Sequence, residues 1–146
     1  MNRLIQIGKG YTLNKYDCGM TALMIVAKHF GQRHMLDTFL HNMGYCNQNI
    51  SLYDLRTYAK KINLNTLAII GTINGLMQDI PLPAIAYLKV GHFVVICEVN
   101  HTGVFVIDPS IGYIQFSKSK FKSLWYLHEF QGGALIVFEK ETQDNV

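Results

Sequence analysis

The chain has 146 residues, of which 49% are hydrophobic and 16% charged, against a charged share of about 25% in an average domain. This composition excludes a disordered or collagen-like protein, and the length supports one hydrophobic core and hence a single globular domain. The net charge of +3 is small and the basic residues are scattered, which argues against a nucleic-acid partner.

The N-terminal third contains no segment that we expect to cross a membrane or to act as a signal peptide. Its longest apolar stretch, residues 22–27, is far shorter than the roughly 20 residues that a membrane helix needs. Lys28, His29 and Phe30 follow it, where a signal peptide would carry small residues at its cleavage site. Three cysteines make an odd number in a chain with its own core, so we expect reduced thiols and a cytosolic protein.

Three helices are predicted in the first half of the chain. Apolar residues at positions i, i+3, i+4 and i+7 predict a buried helix over residues 18–30. The same spacing predicts an amphipathic helix over residues 36–43. Ser51 and Asp54 form a capping-box pattern, which predicts a third helix that ends near Ile62.

Strands are predicted in the second half, where β-branched and aromatic runs replace the helical pattern. The five predicted strands cover residues 84–88, 92–99, 104–107, 113–116 and 134–139. Helices followed by strands indicate the α+β class, with an antiparallel sheet. The domain is predicted to span residues 1–140, and the polar residues 141–146 are interpreted as a tail or linker.

Cys18 is the candidate nucleophile because it opens the first predicted helix. Asn14 and Asp17 precede it as possible caps, and the small Gly19 leaves the thiol approachable. The positive end of a helix dipole lowers the pKa of a thiol and favours the nucleophilic thiolate. The alternative interpretation is a cysteine buried as a small hydrophobic residue.

His92 and Asp108 are the candidate base and its orienting partner. His92 is a polar residue at the start of an apolar strand, although a core histidine bonded to a backbone carbonyl is the alternative. Asp108 ends the next strand, although an Asp-Pro pair can also simply end a strand in a turn. A turn centred near Asn100 sets the two side chains on one face, whereas a turn centred at residues 101–102 separates them. The sequence leaves this register open.

Together, Cys18, His92 and Asp108 combine a nucleophile, a base and an orienting group. The order Cys, His, Asp, with a helix first and a sheet second, is also the layout of papain-like proteases. We therefore predict a papain-like cysteine enzyme that needs no cofactor.

The other histidines and cysteines are not predicted to form a site. His34, His41 and Cys46 match no compact zinc-ligand spacing, so no metal site is predicted. Cys97 lies within a predicted strand and is expected in the core.

Three ordered motifs carry a resemblance to a known family. They are Asp17-Cys18-Gly19-Met20, Gly91-His92-Phe93-Val94-Val95 and Asp108-Pro109-Ser110-Ile111-Gly112. With them the chain resembles the bacteriocin-processing peptidases, the papain-like double-glycine leader peptidase domains at the N-terminus of peptide-exporting ATP-binding-cassette transporters. The resemblance covers about residues 10–138.

The resemblance implies a function, partners and a location. Cys18 would be the nucleophile, His92 the base and Asp108 its orienting partner, in a peptidase that cleaves a leader after Gly-Gly during export. The implied partners are a precursor peptide with an amphipathic helical leader, and the membrane and ATP-binding domains of a transporter in the same or an associated chain. The implied location is the cytoplasmic side of the bacterial cell membrane.

One position departs from the family pattern. Six residues before the nucleophile these peptidases usually carry a glutamine of the oxyanion hole, and Thr12 stands there in this chain. The Thr12 hydroxyl, the Asn14 side chain or the Cys18 backbone N–H alone are the candidate donors.

Candidate walls of a cleft narrow enough to admit only glycine are Tyr16, Met20 and the pair Trp125-Tyr126. Core packing is the alternative interpretation of these side chains. Two rival functions share the fold: a catalytically idle domain that docks leader peptides, and a papain-like acyl or amide transferase acting on a small molecule. Cleavage after the second glycine of a leader peptide would exclude both rivals.

Overall fold

Three helices come first in the part of the chain that the computed structural model describes, residues 17–46 and 49–141. Helix α1 spans Cys18–His29, α2 spans Arg33–Met43 and α3 spans Leu52–Lys61. All three predicted helices are confirmed. Only α2 begins earlier than its apolar spacing predicts, because its first turn carries polar residues.

The helix boundaries follow from local chemistry. Helix α2 ends at Gly44, whose φ of 65° lies in the left-handed region that glycine adopts without strain. Helix α3 begins with the predicted capping box, in which Ser51 Oγ accepts a hydrogen bond from the Asp54 N–H and the Asp54 carboxylate accepts one from the Ser51 N–H. Helix α1 is buried nearly all round, which places it inside the molecule.

The second half forms a single antiparallel sheet. Its strands are β1 Leu64–Gly71, β2 Ala84–Leu88, β3 His92–Asn100, β4 Gly103–Asp108, β5 Gly112–Phe116 and β6 Gly133–Lys140. The spatial order is β1-β6-β2-β3-β4-β5. The five predicted strands and the antiparallel pairing are confirmed, and each predicted strand end lies within one residue of the observed end.

Three elements are not predicted by the sequence patterns: β1, the short helix α4 over Ile73–Gln78 and helix α5 over Lys118–Trp125. Strand β1 lies at the edge of the sheet, where the apolar Leu67 is 59% exposed. Because apolar residues stand on its exposed side, the segment lacks the apolar–polar alternation that predicts a strand. Helix α5 is capped by Ser117, whose Oγ accepts from the Lys120 N–H at 3.1 Å.

Helices cover both faces of the sheet. Helices α1 to α3 pack on one face, in a core that includes Val95 and Ile107. Helices α4 and α5 pack on the other face, in a second core that includes Phe121 and Trp125. No helix in the described ranges has the length and apolar character needed to cross a bilayer.

The hairpin of β3 and β4 has a register that the sequence leaves open. Its turn lies at residues 101–102, because Asn100 pairs with Gly103. A β-bulge between Ile96 and Glu98 then shifts the register by one residue, so that Val95 pairs with Ile107. The expectation that this turn position separates His92 from Asp108 is wrong, because the bulge restores them to the same face.

Candidate active site

The first helix begins at the candidate nucleophile. Asp17 is the N-cap of α1 in an extended conformation, and its carbonyl accepts the first helical hydrogen bond from the Thr21 N–H at 2.9 Å. Cys18 is therefore the first helical residue, and its side chain is half-buried. The thiol lies at the positive end of the helix dipole, which favours its ionised form.

The second part of the site lies where β3 begins and β4 ends. His92 opens β3 and Asp108 closes β4, and the two strands are neighbours in the sheet. The imidazole Nε2 lies 2.8 Å from Asp108 Oδ1. The same Asp108 oxygen accepts a hydrogen bond from the Ser110 N–H at 2.8 Å, which fixes the carboxylate in the turn after β4.

The two parts meet at the thiol. The Cys18 side chain is hydrogen-bonded to the His92 side chain and also to the backbone N–H of Phe93. Because Asp108 engages Nε2 of His92, Nδ1 is the ring nitrogen left to face the thiol. The structure thus joins a thiol, an imidazole and a carboxylate in one continuous chain of hydrogen bonds.

The electrostatics of the site favour a thiolate and imidazolium pair. Burial opposes ionisation of Cys18, but its hydrogen bonds to His92 and to the Phe93 N–H lower the pKa of this thiol below its usual value. The hydrogen bond to Asp108, together with the one to Cys18, raises the pKa of His92 to about 10 against the opposing effect of burial. Burial likewise opposes ionisation of Asp108, but His92 and the Ser110 N–H lower the pKa of its carboxyl.

This arrangement can perform nucleophilic catalysis. A thiolate that is already formed can attack a carbonyl carbon without first losing a proton, and the neighbouring imidazolium can protonate a leaving group. The carboxylate holds the ring in the orientation that both steps need.

The other two cysteines lie in different surroundings. Cys97 is buried in the sheet, as predicted, and burial raises the pKa of its thiol to about 12. Cys46 is exposed after helix α2.

The predicted substrate-binding residues are not supported where the structure describes them. Met20 and Trp125 are both 0% exposed, so the prediction that they line a substrate cleft is wrong. Met20 faces the first core from the buried helix α1. Trp125 belongs to the second core on the opposite face of the sheet, where its Nε1 donates to the Ala134 carbonyl at 2.8 Å. Thr12, Asn14 and Tyr16 lie outside the described residues.

Sequence reasoning missed two contributions to the site. One is the Phe93 N–H, which reaches the Cys18 thiol because Phe93 follows the candidate base on the same strand. The other is the bonding of Asp17, which is the N-cap residue that the sequence suggests, but whose carboxylate accepts from Tyr45 and Ile50 rather than from its own helix. The only sequence signal for either contribution is its position directly beside Cys18 or His92.

Comparison with known sequences identifies relatives of the chain. Residues 11–142 match a family model described as the Peptidase C39 family. The chain is 28% identical over 126 residues to the pediocin PA-1 transport/processing ATP-binding protein of Pediococcus acidilactici, a match covering 80% of this chain and 17% of that protein. The lactococcin-A transport/processing ATP-binding protein of Lactococcus lactis subsp. lactis is also 28% identical over 126 residues, with 80% and 18% covered. The chain thus spans less than a fifth of the length of these curated relatives.

Comparison with solved structures confirms the papain-like fold. A double glycine motif protease from an AMS/PCAT transporter, in complex with the leader peptide, superposes with a TM-score of 0.70 at 18% identity, covering 86% of this chain and 85% of that one. The peptidase domain of Streptococcus ComA, a bifunctional ABC transporter involved in quorum sensing, superposes with a TM-score of 0.67 at 23% identity, covering 88% and 95%.

Proposed function

The chain belongs to the Peptidase C39 family, and from this premise we propose that it is a cysteine endopeptidase that removes a leader from a bacteriocin or similar precursor peptide after a Gly-Gly motif. The observation that carries the proposal is the hydrogen-bonded series formed by Cys18, His92 and Asp108. The lowered thiol pKa supports it, because a structural cysteine in a core has the opposite shift, as Cys97 does.

In the proposed reaction, the Cys18 thiolate attacks the carbonyl carbon of the second glycine. The His92 imidazolium gives its proton to the departing amine, and the leader remains attached to sulfur as a thioester. His92, now neutral, takes a proton from water, which attacks the thioester and releases the leader. Asp108 holds the ring throughout and stabilises its charged form.

The proposed substrate follows from the chemistry of glycine and from the relatives. A narrow cleft excludes residues with side chains by steric contact alone, so two glycines can be selected without a specific polar contact. One structural relative is described as a double glycine motif protease in complex with the leader peptide. We propose the same substrate class for this chain, with the leader bound as an amphipathic helix.

The proposed setting is a peptide exporter on the cytoplasmic side of a bacterial cell membrane. The curated relatives are transport/processing ATP-binding proteins, and the matched part is a small fraction of each. We propose that this domain works with membrane and ATP-binding domains in the same or an associated chain, so that leader removal is coupled to export.

The test is incubation of the protein with a synthetic leader peptide that continues for several residues beyond Gly-Gly, followed by mass analysis. We expect one cut after the second glycine, none with Cys18→Ala or His92→Ala, and normal cleavage with the control Cys46→Ala. Cys18→Ala should still bind the peptide, because alanine keeps helix α1 intact.

Two results would contradict the proposal. Binding of the peptide by the wild-type protein without any cleavage would favour a leader-docking domain. Transfer of an acyl group to a small amine in place of water would favour a transferase.

A further inference from the structure

The side chain of Asp17 is not used in the way its position suggests. An aspartate at the N-cap ordinarily accepts a hydrogen bond from the first turn of its own helix. Asp17 makes no such bond. Its Oδ1 instead accepts a hydrogen bond from the Tyr45 hydroxyl, and its Oδ2 accepts one from the Ile50 N–H at 3.3 Å. Tyr45 follows helix α2 and Ile50 precedes helix α3, so one carboxylate ties both helices to the residue before Cys18.

The bond to Ile50 controls packing against the backbone of the candidate nucleophile. The Ile50 side chain lies against Gly19, where an added Cβ would be only 2.8 Å from Ile50 Cγ1. On the same glycine, Phe93 of β3 comes within 3.2 Å of that Cβ position. The first turn of α1 is therefore held between Ile50 and Phe93 with no room for a side chain at Gly19.

This packing reaches the thiol through Phe93. The Phe93 N–H is hydrogen-bonded to Cys18, and Phe93 follows His92 directly. The packing of Ile50 on Gly19 thus keeps the start of α1 in contact with β3, the strand that carries both hydrogen-bond partners of the thiol. A relaxed Ile50 would let α1 move away from β3 and lengthen both bonds.

The charge of Asp17 does not promote ionisation of the Cys18 thiol. A carboxylate beside Cys18 raises the pKa of the thiol and so works against the thiolate. Any benefit of Asp17 to the ionisation of the thiol must therefore come through its hydrogen bonds.

We propose that Asp17, Tyr45 and Ile50 form a clasp that positions Cys18 against His92 and the Phe93 N–H. Its members are positioning residues: Asp17 acts through Ile50, and Tyr45 acts through Asp17. The kinetic part of this inference rests on the proposed peptidase function, whereas its effect on the reactivity of the Cys18 thiol does not.

The test measures the thiol directly, in a Cys46→Ser background that leaves Cys18 as the accessible cysteine among the described residues. The rate of alkylation by iodoacetamide is followed from pH 5 to 10 for wild type and for Tyr45→Phe, Asp17→Asn and Asp17→Ala. The double variant that combines Asp17→Ala with Tyr45→Phe is measured in the same way. Tyr53→Phe is the matched control, because Tyr53 lies on α3 with 77% of its surface exposed. Cleavage of the leader peptide gives kcat and KM for the same proteins, and thermal melts report their folding.

The clasp predicts distinct results for each variant. Tyr45→Phe should move the midpoint of the alkylation profile up by about half a pH unit and lower kcat roughly tenfold at constant KM, since small misplacements are costly in catalysis. Asp17→Asn keeps one acceptor oxygen for the Ile50 N–H, while its Nδ2 can donate to the Tyr45 hydroxyl oxygen, so it should retain more kcat than Asp17→Ala. In the Asp17→Ala background, Tyr45→Phe should have little further effect, because the bond it removes is already gone.

Several outcomes would overturn the clasp. If Asp17→Ala lowers the thiol pKa and leaves kcat unchanged or higher, Asp17 acts through charge alone. If Tyr45→Phe behaves like Tyr53→Phe, or melts at a lower temperature with an unaltered alkylation profile, the bond is only structural. If the wild-type protein cleaves no leader peptide but the alkylation shifts appear, the proposed function fails and the clasp stands.

Discussion

The pairing of His92 with Asp108 predicts how activity falls at high pH. The ion pair needs Cys18 ionised, which sets the acid limb of the profile, and His92 protonated, which sets the alkaline limb. With the pKa of His92 raised to about 10, activity should persist to nearly that pH. Asp108→Asn removes the carboxylate charge and keeps an oxygen that can accept from Nε2, so it tests the charge separately from the orientation.

The size of the expected shift follows from the 2.8 Å bond between Nε2 and Asp108 Oδ1. A hydrogen bond to a charged group contributes about 1.5–3 kcal/mol, and one pKa unit corresponds to about 1.4 kcal/mol. Loss of the charge should therefore lower the pKa of His92 by about one to two units. The alkaline limb should move from about 10 to between about 8 and 9.

The assay is the pH dependence of kcat/KM for leader-peptide cleavage, which reports ionisations of the free enzyme. The alkylation profile of Cys18 reports the ionisation of the thiol, and hence the acid limb, without a substrate. Asp79→Asn is the control, because it removes an equal charge from an exposed position after α4. An alkaline limb that stays near pH 10 in Asp108→Asn would refute the reasoning.

Four further predictions follow. Because the pKa of His92 is raised on folding, its bond to Asp108 stabilises the fold fully below about pH 6.5 and loses this effect as the pH rises through about 10. The difference in free energy of unfolding between wild type and Asp108→Asn, from urea titrations, should thus be largest near pH 6 and small at pH 10. Cys97 should resist alkylation in the native protein at pH 8 and react only after denaturation, as mass analysis of labelled peptides would reveal. Trp125→Phe should lower the free energy of unfolding by about 1–3 kcal/mol, because it leaves the Ala134 carbonyl without its donor, and kcat/KM should be unchanged. In single-turnover assays, Thr12→Gln should speed cleavage if the oxyanion hole lacks a side-chain donor, and a slower reaction would contradict that shortage.

Much of the fold was predictable because its signals are local. The capping box of Ser51 and Asp54 and the apolar spacing of α1 depend on residues a few positions apart, and both predictions are confirmed. Strand β1 was not predictable in this way. Leu67 faces solvent at the sheet edge, and only pairing with the distant strand β6 makes this segment a strand.

The predictions for individual side chains differ in the same way, according to whether the position depends on neighbouring or on distant residues. Cys18 and His92 are candidates because of their places at the start of a helix and of a strand, and the structure reproduces those places. The prediction for Trp125 is wrong because an aromatic residue does not itself indicate which face of the sheet it will cover. That face is set by α5, whose Trp125 ring packs so closely on Gly133 that an added Cβ there would lie 2.2 Å from the ring.

The contact between Asp108 and His92 depends on one bulged residue, Cys97, which has no partner in the pairing of β3 with β4. If the register next to the turn at residues 101–102 continued along the hairpin without the bulge, Asp108 would pair with Val95. Its side chain would then lie on the face of the sheet opposite His92. With the bulge at Cys97, extending the observed register by one pair beyond Val95 and Ile107 sets Asp108 opposite Val94. Val94 lies on the same face as His92, and the carboxylate reaches the imidazole diagonally. The contact between His92 and Asp108 therefore depends on a buried bulge that lies five residues further along β3. No local pattern in the sequence predicts this bulge.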